Sequence, residues 1–347
     1  MMKSQLKQYD CEFAFGNGMV REDKIHLKGI SALHHLSEAT TSFFFSLLRV
    51  HTMSQHSGFS LLDQHLSALP AALREHILRR LRHSLCYQPV IGIMGKTGAG
   101  KSSLCNGLFN GECCAVSDVH ACTREPQRLT LTVGAHTLTL MDLPGVGESQ
   151  ERDAEYEALY QRLLPELDLI LWVIRADDRA LAADEHVYHQ ILKASHTPHP
   201  AILFVLSQAD KVDPSLTWDS VSQQPSRQQQ DTLQRKINAV AAGFQVSPAH
   251  VIAISAITGY QMPSLVEAMI YALPRYASSH VYPHINASCR TEIAVDKAKE
   301  DFGDTVTDIV DWAIGSVPLP NAVKALVQSV KNTVKQVAKT IWDWFFY

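Results

Sequence analysis

The sequence predicts an α/β fold, a six-stranded, mixed and mostly parallel sheet with helices on both faces, flanked by helical segments at its N- and C-terminal ends. Three observations carry that expectation. Apolar runs of strand length alternate with helical patterns from Pro89 to about residue 275. Several runs are apolar throughout, as in Ala201-Ile202-Leu203-Phe204-Val205-Leu206, which suits strands covered on both sides. The first run, Val90-Ile91-Gly92-Ile93-Met94, leads directly into a glycine-rich loop and a helical stretch.

Strands are expected at 89–95, 128–133, 136–142, 168–175, 200–207 and 250–255, and helices at 101–109, 150–164, 181–194, 230–243 and 263–273. The link Gly134-Ala135 reads as a hairpin turn, so one strand should run antiparallel. The remaining strands should be parallel, joined by right-handed crossovers. Ahead of the sheet, residues 60–86 carry leucines at helical spacing, and Pro70 divides the segment. Its second half is basic (Arg74, Arg79, Arg80, Arg82). With no aromatic or glycine pattern beside those charges, it reads as the solvated face of a packed helix. Residues 1–52 read poorly: Cys11 to Lys28 shows no sustained period, and Ile30 to Val50 could form a helix. Met53 is therefore expected to be the true start, with residues 1–57 as an extension, 58–88 as a helical segment, 89–277 as the sheet domain and 289–347 as a helical hairpin.

Composition bounds the function classes. Hydrophobic residues make up 46% and charged residues 19% of 347, as in an ordinary globular protein. A net charge of −4 argues against a general nucleic-acid coat, and no nucleic-acid motif is evident. The seven cysteines are odd in number and scattered, as expected of reduced thiols in the cytoplasm. The start lacks the apolar core of a signal peptide, and no apolar run is long enough to span a membrane.

The chemistry begins at Gly95-Lys96-Thr97-Gly98-Ala99-Gly100-Lys101-Ser102-Ser103, a strand–loop–helix phosphate-binding motif. Glycines let consecutive N–H groups turn inward toward phosphate oxygens, and the following helix adds its positive dipole end. Lys101 can reach the β- and γ-phosphates of a nucleoside triphosphate, and the Ser102 hydroxyl can ligate Mg²⁺. Chance would give the four fixed positions in roughly one chain in a hundred of this length, so nucleotide binding is the favoured reading.

Three later stretches extend the motif in order. Asp142-Leu143-Pro144-Gly145 closes a predicted strand, where Asp142 can hold Mg²⁺ and the Gly145 N–H can meet a γ-phosphate. Between the two lies Ser117-Asp118-Val119-His120-Ala121-Cys122-Thr123, in which Thr123, ahead of Ser117, is expected to close over Mg²⁺ as part of a switch. Ser207-Gln208-Ala209-Asp210 closes another strand. Asp210 can accept from N1–H and N2–H₂ of guanine, a pair adenine lacks, while Gln208 can lay its stem on the purine face. Ser255-Ala256 can offer a backbone N–H to guanine O6.

This set resembles the five motifs of the Ras-like GTPase domain in the translation-factor-related class, closest to its Era-like and septin-like branches and to a little-studied group of bacterial Era-like GTPases. The resemblance spans about residues 60–275. It implies a Ras-like P-loop fold, GTP and GDP as ligands with Mg²⁺, and hydrolysis by water attack on the γ-phosphate. By that resemblance Lys101, Thr123 and Gly145 serve catalysis, and Ser102, Thr123 and Asp142 hold the metal. Residues 95–103 with Gln208, Asp210, Ser255 and Ala256 hold the nucleotide.

Two departures matter. The family's guanine motif is Asn-Lys-x-Asp, and the Asn is Ser207 here, which removes an expected link between the phosphate loop and the base. After Gly145 stands Val146, where related proteins carry Gln or His. Valine cannot orient water, so intrinsic hydrolysis is expected to be slow, with the missing group supplied by homodimerisation, a GTPase-activating partner or a switch residue such as Glu148.

Other clusters read plainly. Cys113, Cys114, His120 and Cys122 fit no zinc spacing, and His186 and His189 are expected to be solvated. The polar stretch Val212 to Gln230 reads as a surface insertion before a helix capped by Ser226 or Asp231. Residues 290–313 suit an acidic amphipathic helix. After a break at Gly315–Pro320, Val323, Val327, Val330, Val334, Val337, Ile341 and Trp344 form a heptad seam beside a basic face. An acidic helix docked against a basic one is the favoured reading. The alternative is peripheral contact with the inner face of the membrane through the terminal aromatics. The functional expectation is a slow GTP-hydrolysing switch. The alternatives are a nucleotide-gated or membrane-associated scaffold and an Era-like factor in ribosome or tRNA maturation.

Overall fold

The computed structural model describes residues 57–110, 126–143, 153–189, 199–315 and 320–347. Its strands are β1 (Val90–Met94), β2 (Gln127–Val133), β3 (His136–Asp142), β4 (Leu169–Arg175), β5 (Ala201–Ser207) and β6 (Val251–Ala253). They lie in the order β2-β3-β1-β4-β5-β6. Among the described strands β2 and β3 pair antiparallel, as Gly134-Ala135 predicts, and the other strand pairs are parallel. In such a sheet ligands gather at the carboxyl ends of the strands, and the glycine loop leaves β1 at that end.

The helices are α1 (57–65), α2 (Ala71–Leu85), α3 (Lys101–Leu108), α4 (Asp153–Leu163), α5 (Ala182–Val187), α6 (Arg227–Phe244), α7 (Met262–Ala272), α8 (Arg275–Val281), α9 (Glu292–Gly315), α10 (Asn321–Thr340) and α11 (Trp342–Phe346). Side chains alternate across the sheet, and each face is covered. On β4, Leu169, Leu171 and Val173 join a core with residues of α2, α3, α7, α9 and α10. Ile170, Trp172 and Ile174 point the other way, into a core closed by α4, α5 and α6. The flanking helices thus share one core with the strands that carry the glycine loop.

Local rules set the helix ends. Pro70 is the N-cap of α2, and Ser226 caps α6 through a capping box with Gln229. Strand β6 is shorter than the predicted 250–255, although Ile254 N–H still donates to Leu206 O at 2.8 Å. The predicted helix 181–194 is described as far as residue 189. The arginines of α2 make local contacts: Arg74 pairs with Asp63 at 2.8 Å, and Arg80 lies 4.2 Å over the Trp312 ring.

The C-terminal hairpin forms as charge patterning predicts. Lys331 pairs with Asp311, Lys335 with Glu300 and Asp304, and Lys339 with Glu300, so α10 runs antiparallel to α9. The heptad seam holds as far as Ile341, with Val327, Val334 and Ile341 fully buried. It fails at Trp344, which is 38% exposed. The helix stops at Ile341 and α11 restarts out of phase, turning Trp342, Phe345 and Phe346 inward. These aromatics lie in the core, as the favoured reading of a docked hairpin expects, which weighs against the alternative of membrane contact through them. Trp342 Nε1–H donates to Ser279 Oγ at 2.8 Å, and the Phe345 carbonyl lies 2.6 Å from His136 Nε2 at the start of β3. Among the described residues no helix is long and apolar enough to cross a membrane.

Candidate nucleotide-binding site

The glycine loop follows β1 with backbone dihedrals that side chains resist. Gly95 has φ 142°, and a Cβ there would lie 2.2 Å from the Val173 carbonyl oxygen, so only glycine lets the loop pass β4. Gly100, at φ 89°, is the N-cap of α3 and aims the helix N-terminus into the loop. Lys101 Nζ donates to Gly95 O at 2.8 Å and Lys96 O at 3.3 Å, which places its ammonium across the arch of the loop. Ser102 is half-buried in the first turn of α3, and Ser103 is exposed.

Asp142 ends β3 directly beside Ile93 of β1. Desolvation holds its carboxyl above the ordinary carboxylate range, partly offset by the Lys101 ammonium. A carboxylate and a serine hydroxyl are hard oxygen donors of the kind Mg²⁺ takes. By the chemistry of these donors, the residues present fit that metal.

On the opposite side of the loop, the link expected to be lost with the asparagine is present in another form. Ser207, buried at the end of β5, donates its hydroxyl to Ala99 O at 2.5 Å and lies 3.3 Å from Ile174 O. Gln208, at φ 57°, donates from Nε2 to Gly98 O at 3.2 Å and accepts from Lys211 Nζ at 2.9 Å. Two side chains therefore tie the β5 end to two carbonyls of the phosphate loop. This corrects the expectation drawn from the missing amide. Its acceptors are backbone atoms more than 100 positions away, which no local pattern reveals.

Asp210 sits in the short turn Ala209–Lys211, anchored by Ala209 N–H donating to Ile254 O at 3.0 Å. Its Oδ1 is buried with no hydrogen-bond partner among the described residues. A buried carboxylate oxygen without a donor is costly, and a guanine N–H supplies one. Ser255 needs correction. Its N–H donates to Tyr260 O at 3.1 Å and its Oγ accepts from Thr258 N–H at 3.3 Å, which leaves Ala256 as the N–H of the pair that can face the base.

Lys96 turns outward from the loop. Its Nζ lies 2.8 Å from Asp184 Oδ2 and 3.3 Å from Asp178 Oδ2, and it donates to Ala180 O. Burial draws its pKa down, but pairing with Asp184 and Asp178 outweighs this and leaves it above the ordinary value. Its backbone can line the loop, while the side chain is committed elsewhere. Asp184 was absent from the sequence reading; the available signal was an acid on the apolar face of a short helix. A cavity of about 290 Å³ opens between Thr97, Ala99, Arg175, Asp178 and Arg179.

Thr123, Ser117, Gly145, Val146 and Glu148 lie outside the described residues, as do Cys113, Cys114, His120 and Cys122. His186 is exposed as expected. His189 is half-buried, with Nε2 2.7 Å from Gly243 O, so it is a packing contact between α5 and α6 and not a solvated side chain.

The sheet order, the glycine loop and the carboxylate after β5 define a P-loop GTPase of the Era-like kind. The family model described as "50S ribosome-binding GTPase" matches residues 90–208. The uncharacterized protein YkfA of Escherichia coli K12 is 47% identical over 296 residues, covering 85% of this chain and 100% of YkfA. YfjP of the same organism is 47% identical over 287 residues, covering 82% of this chain and 97% of YfjP. GTPase Era of Thermoanaerobacter sp. is 26% identical over 243 residues, 70% of each chain. The chain belongs to the family that contains YkfA and YfjP.

Proposed function

We propose that this GTPase is a GTP-dependent switch with slow intrinsic hydrolysis. The observation that carries the reading is the double tie from Ser207 and Gln208 to the phosphate loop, which supports treating the loop and the nearby Asp210 carboxylate as one site. A base read by Asp210 and phosphates held by residues 95–103 then bind as one ligand, GTP or GDP. Ser102 and Asp142 would hold Mg²⁺, joined by Thr123 in the triphosphate state; bound Mg²⁺ neutralises charge on the β- and γ-phosphate oxygens. Lys101 places a positive charge where charge develops on the γ-phosphate. The Gly145 N–H can sense that phosphate, and the β2–β3 hairpin joins the two segments that carry Thr123 and Gly145.

Hydrolysis is slow because the Val146 side chain offers no hydrogen-bonding atom to the attacking water. A second copy of the chain, a GTPase-activating partner or Glu148 supplies the missing group. Single-turnover hydrolysis tests this. The wild type should turn over on the order of 10⁻³ s⁻¹ or slower, as unassisted GTPases do, and Val146→Gln should be faster at equal nucleotide affinity. A wild-type rate above about 1 s⁻¹ at low protein concentration would refute the slow-switch reading.

A ribosome-directed role draws support from the description of the matching family model. It predicts GTP-dependent co-sedimentation with 50S subunits, and co-sedimentation indifferent to nucleotide would speak against it. The membrane-scaffold reading is weaker, because Trp342, Phe345 and Phe346 are buried. It requires anionic-liposome binding that is lost on deleting residues 318–347.

A further inference from the structure

We propose that Asp184 is a positioning residue for the phosphate loop, acting through Lys96; this rests on the nucleotide-binding reading above. Asp184 is 1% exposed, on the first turn of α5. A carboxylate so buried is costly unless its oxygens are met. Oδ1 accepts from Trp172 Nε1–H at 3.1 Å, and Oδ2 is met by charge, in an ion pair with Lys96 Nζ at 2.8 Å. Trp172 is itself fully buried on β4, so the carboxylate cannot drift.

The lysine is equally committed. Its ammonium donates to Asp178 Oδ2 at 3.3 Å and to Ala180 O, and pairs by charge with Asp184 Oδ2 at 2.8 Å. The acceptors are braced in turn: Ala180 N–H donates to Asp178 Oδ1 at 2.8 Å, and Lys236 Nζ of α6 donates to the Asp178 carbonyl. The second residue of the glycine loop is thereby roped outward to β4, α5 and α6.

The loop is also drawn inward. Lys96 O accepts from Lys101 Nζ at 3.3 Å and from Ala99 N–H at 3.1 Å. One residue, held by its side chain from outside and by its carbonyl from inside, sets the curvature of the arch. A cradle of backbone N–H groups binds phosphate well only when it is already in shape. Asp184 supplies that shape without touching the nucleotide.

The test is the release rate of N-methylanthraniloyl-GDP from the full chain, chased with excess GDP. Asp184→Asn keeps an acceptor for Trp172 and removes the charge facing Lys96; Lys96→Met keeps the stem and removes the ammonium. Each should speed release about tenfold, and the double variant should also stay near tenfold, because both cut the same rope. Trp172→Phe, which deletes the indole donor together with part of the ring, should speed release about threefold and serves if Asp184→Asn does not fold. Release within twofold of wild type in the single variants, with a lowered thermal midpoint, would show that the pair supports the fold alone and overturn the proposal. So would a double variant near a hundredfold. A wild type that binds no labelled GDP would overturn the nucleotide-binding reading instead.

Discussion

Ser207→Ala removes one hydroxyl from the connection between the guanine side and the phosphate side of the site. That hydroxyl donates to Ala99 O at 2.5 Å, and both residues are 3% exposed. Water does not readily replace the lost donor, so the Ala99 carbonyl is left unpaired at a cost of about 1–3 kcal/mol. Expressed wholly in nucleotide affinity, that is a loss of about five- to 150-fold. The bond from Gln208 Nε2 to Gly98 O remains, which places the expected loss toward the lower end, about five- to twentyfold. Titration with a fluorescent GTP analogue reads it directly. Ser207→Thr, which retains the hydroxyl, should stay near wild type. An Ala variant that binds GTP within twofold of wild type would refute the claim that this hydroxyl joins the two halves of the site.

Three further outcomes concern the fold around the site. Burial holds His280 down to about 3 and His284 to about 4, both lowered further by the neighbouring His136, against an ordinary 6.5. The unfolded chain therefore takes up protons first. Stability should be flat above pH 7 and fall as pH drops through 6.5, by about 4 kcal/mol for the two together at pH 5, measured by urea unfolding. Phe345→Ala empties a fully buried site between Phe59 and Phe302 and should cost about 3–5 kcal/mol in the same assay. Lys335→Ala breaks ion pairs to Glu300 and Asp304 that are partly exposed to solvent, so it should cost about 1 kcal/mol and lose most of that effect in high salt.

What the sequence revealed was local or periodic. The glycine loop is contiguous, so Gly95 to Ser103 could be read directly, and the strands around it carry their own apolar pattern. The α9–α10 pairing was legible because charge and heptad spacing agree along both helices. What stayed hidden depends on distant backbone. Nothing near Ser207 announces Ala99 O, and nothing near Lys96 announces Asp184. The choice between Ser255 and Ala256 turned on which N–H Tyr260 O consumes. At Trp344 the period itself misled, because a restart of one helical turn at Ile341 changes every facing after it.

The central claim is that Asp210 reads guanine within a site already tied to the phosphate loop. Affinity of wild type and Asp210→Asn for GTP, XTP and ATP tests it most directly. Two charge-assisted hydrogen bonds are at stake, so the variant should lose about 10²-fold or more for GTP and gain for XTP. Because Asp210 Oδ1 has no partner among the described residues to lose, the ligand-free thermal midpoint should not fall. Wild type binding ATP as well as GTP, or Asp210→Asn retaining GTP within tenfold, would contradict the account.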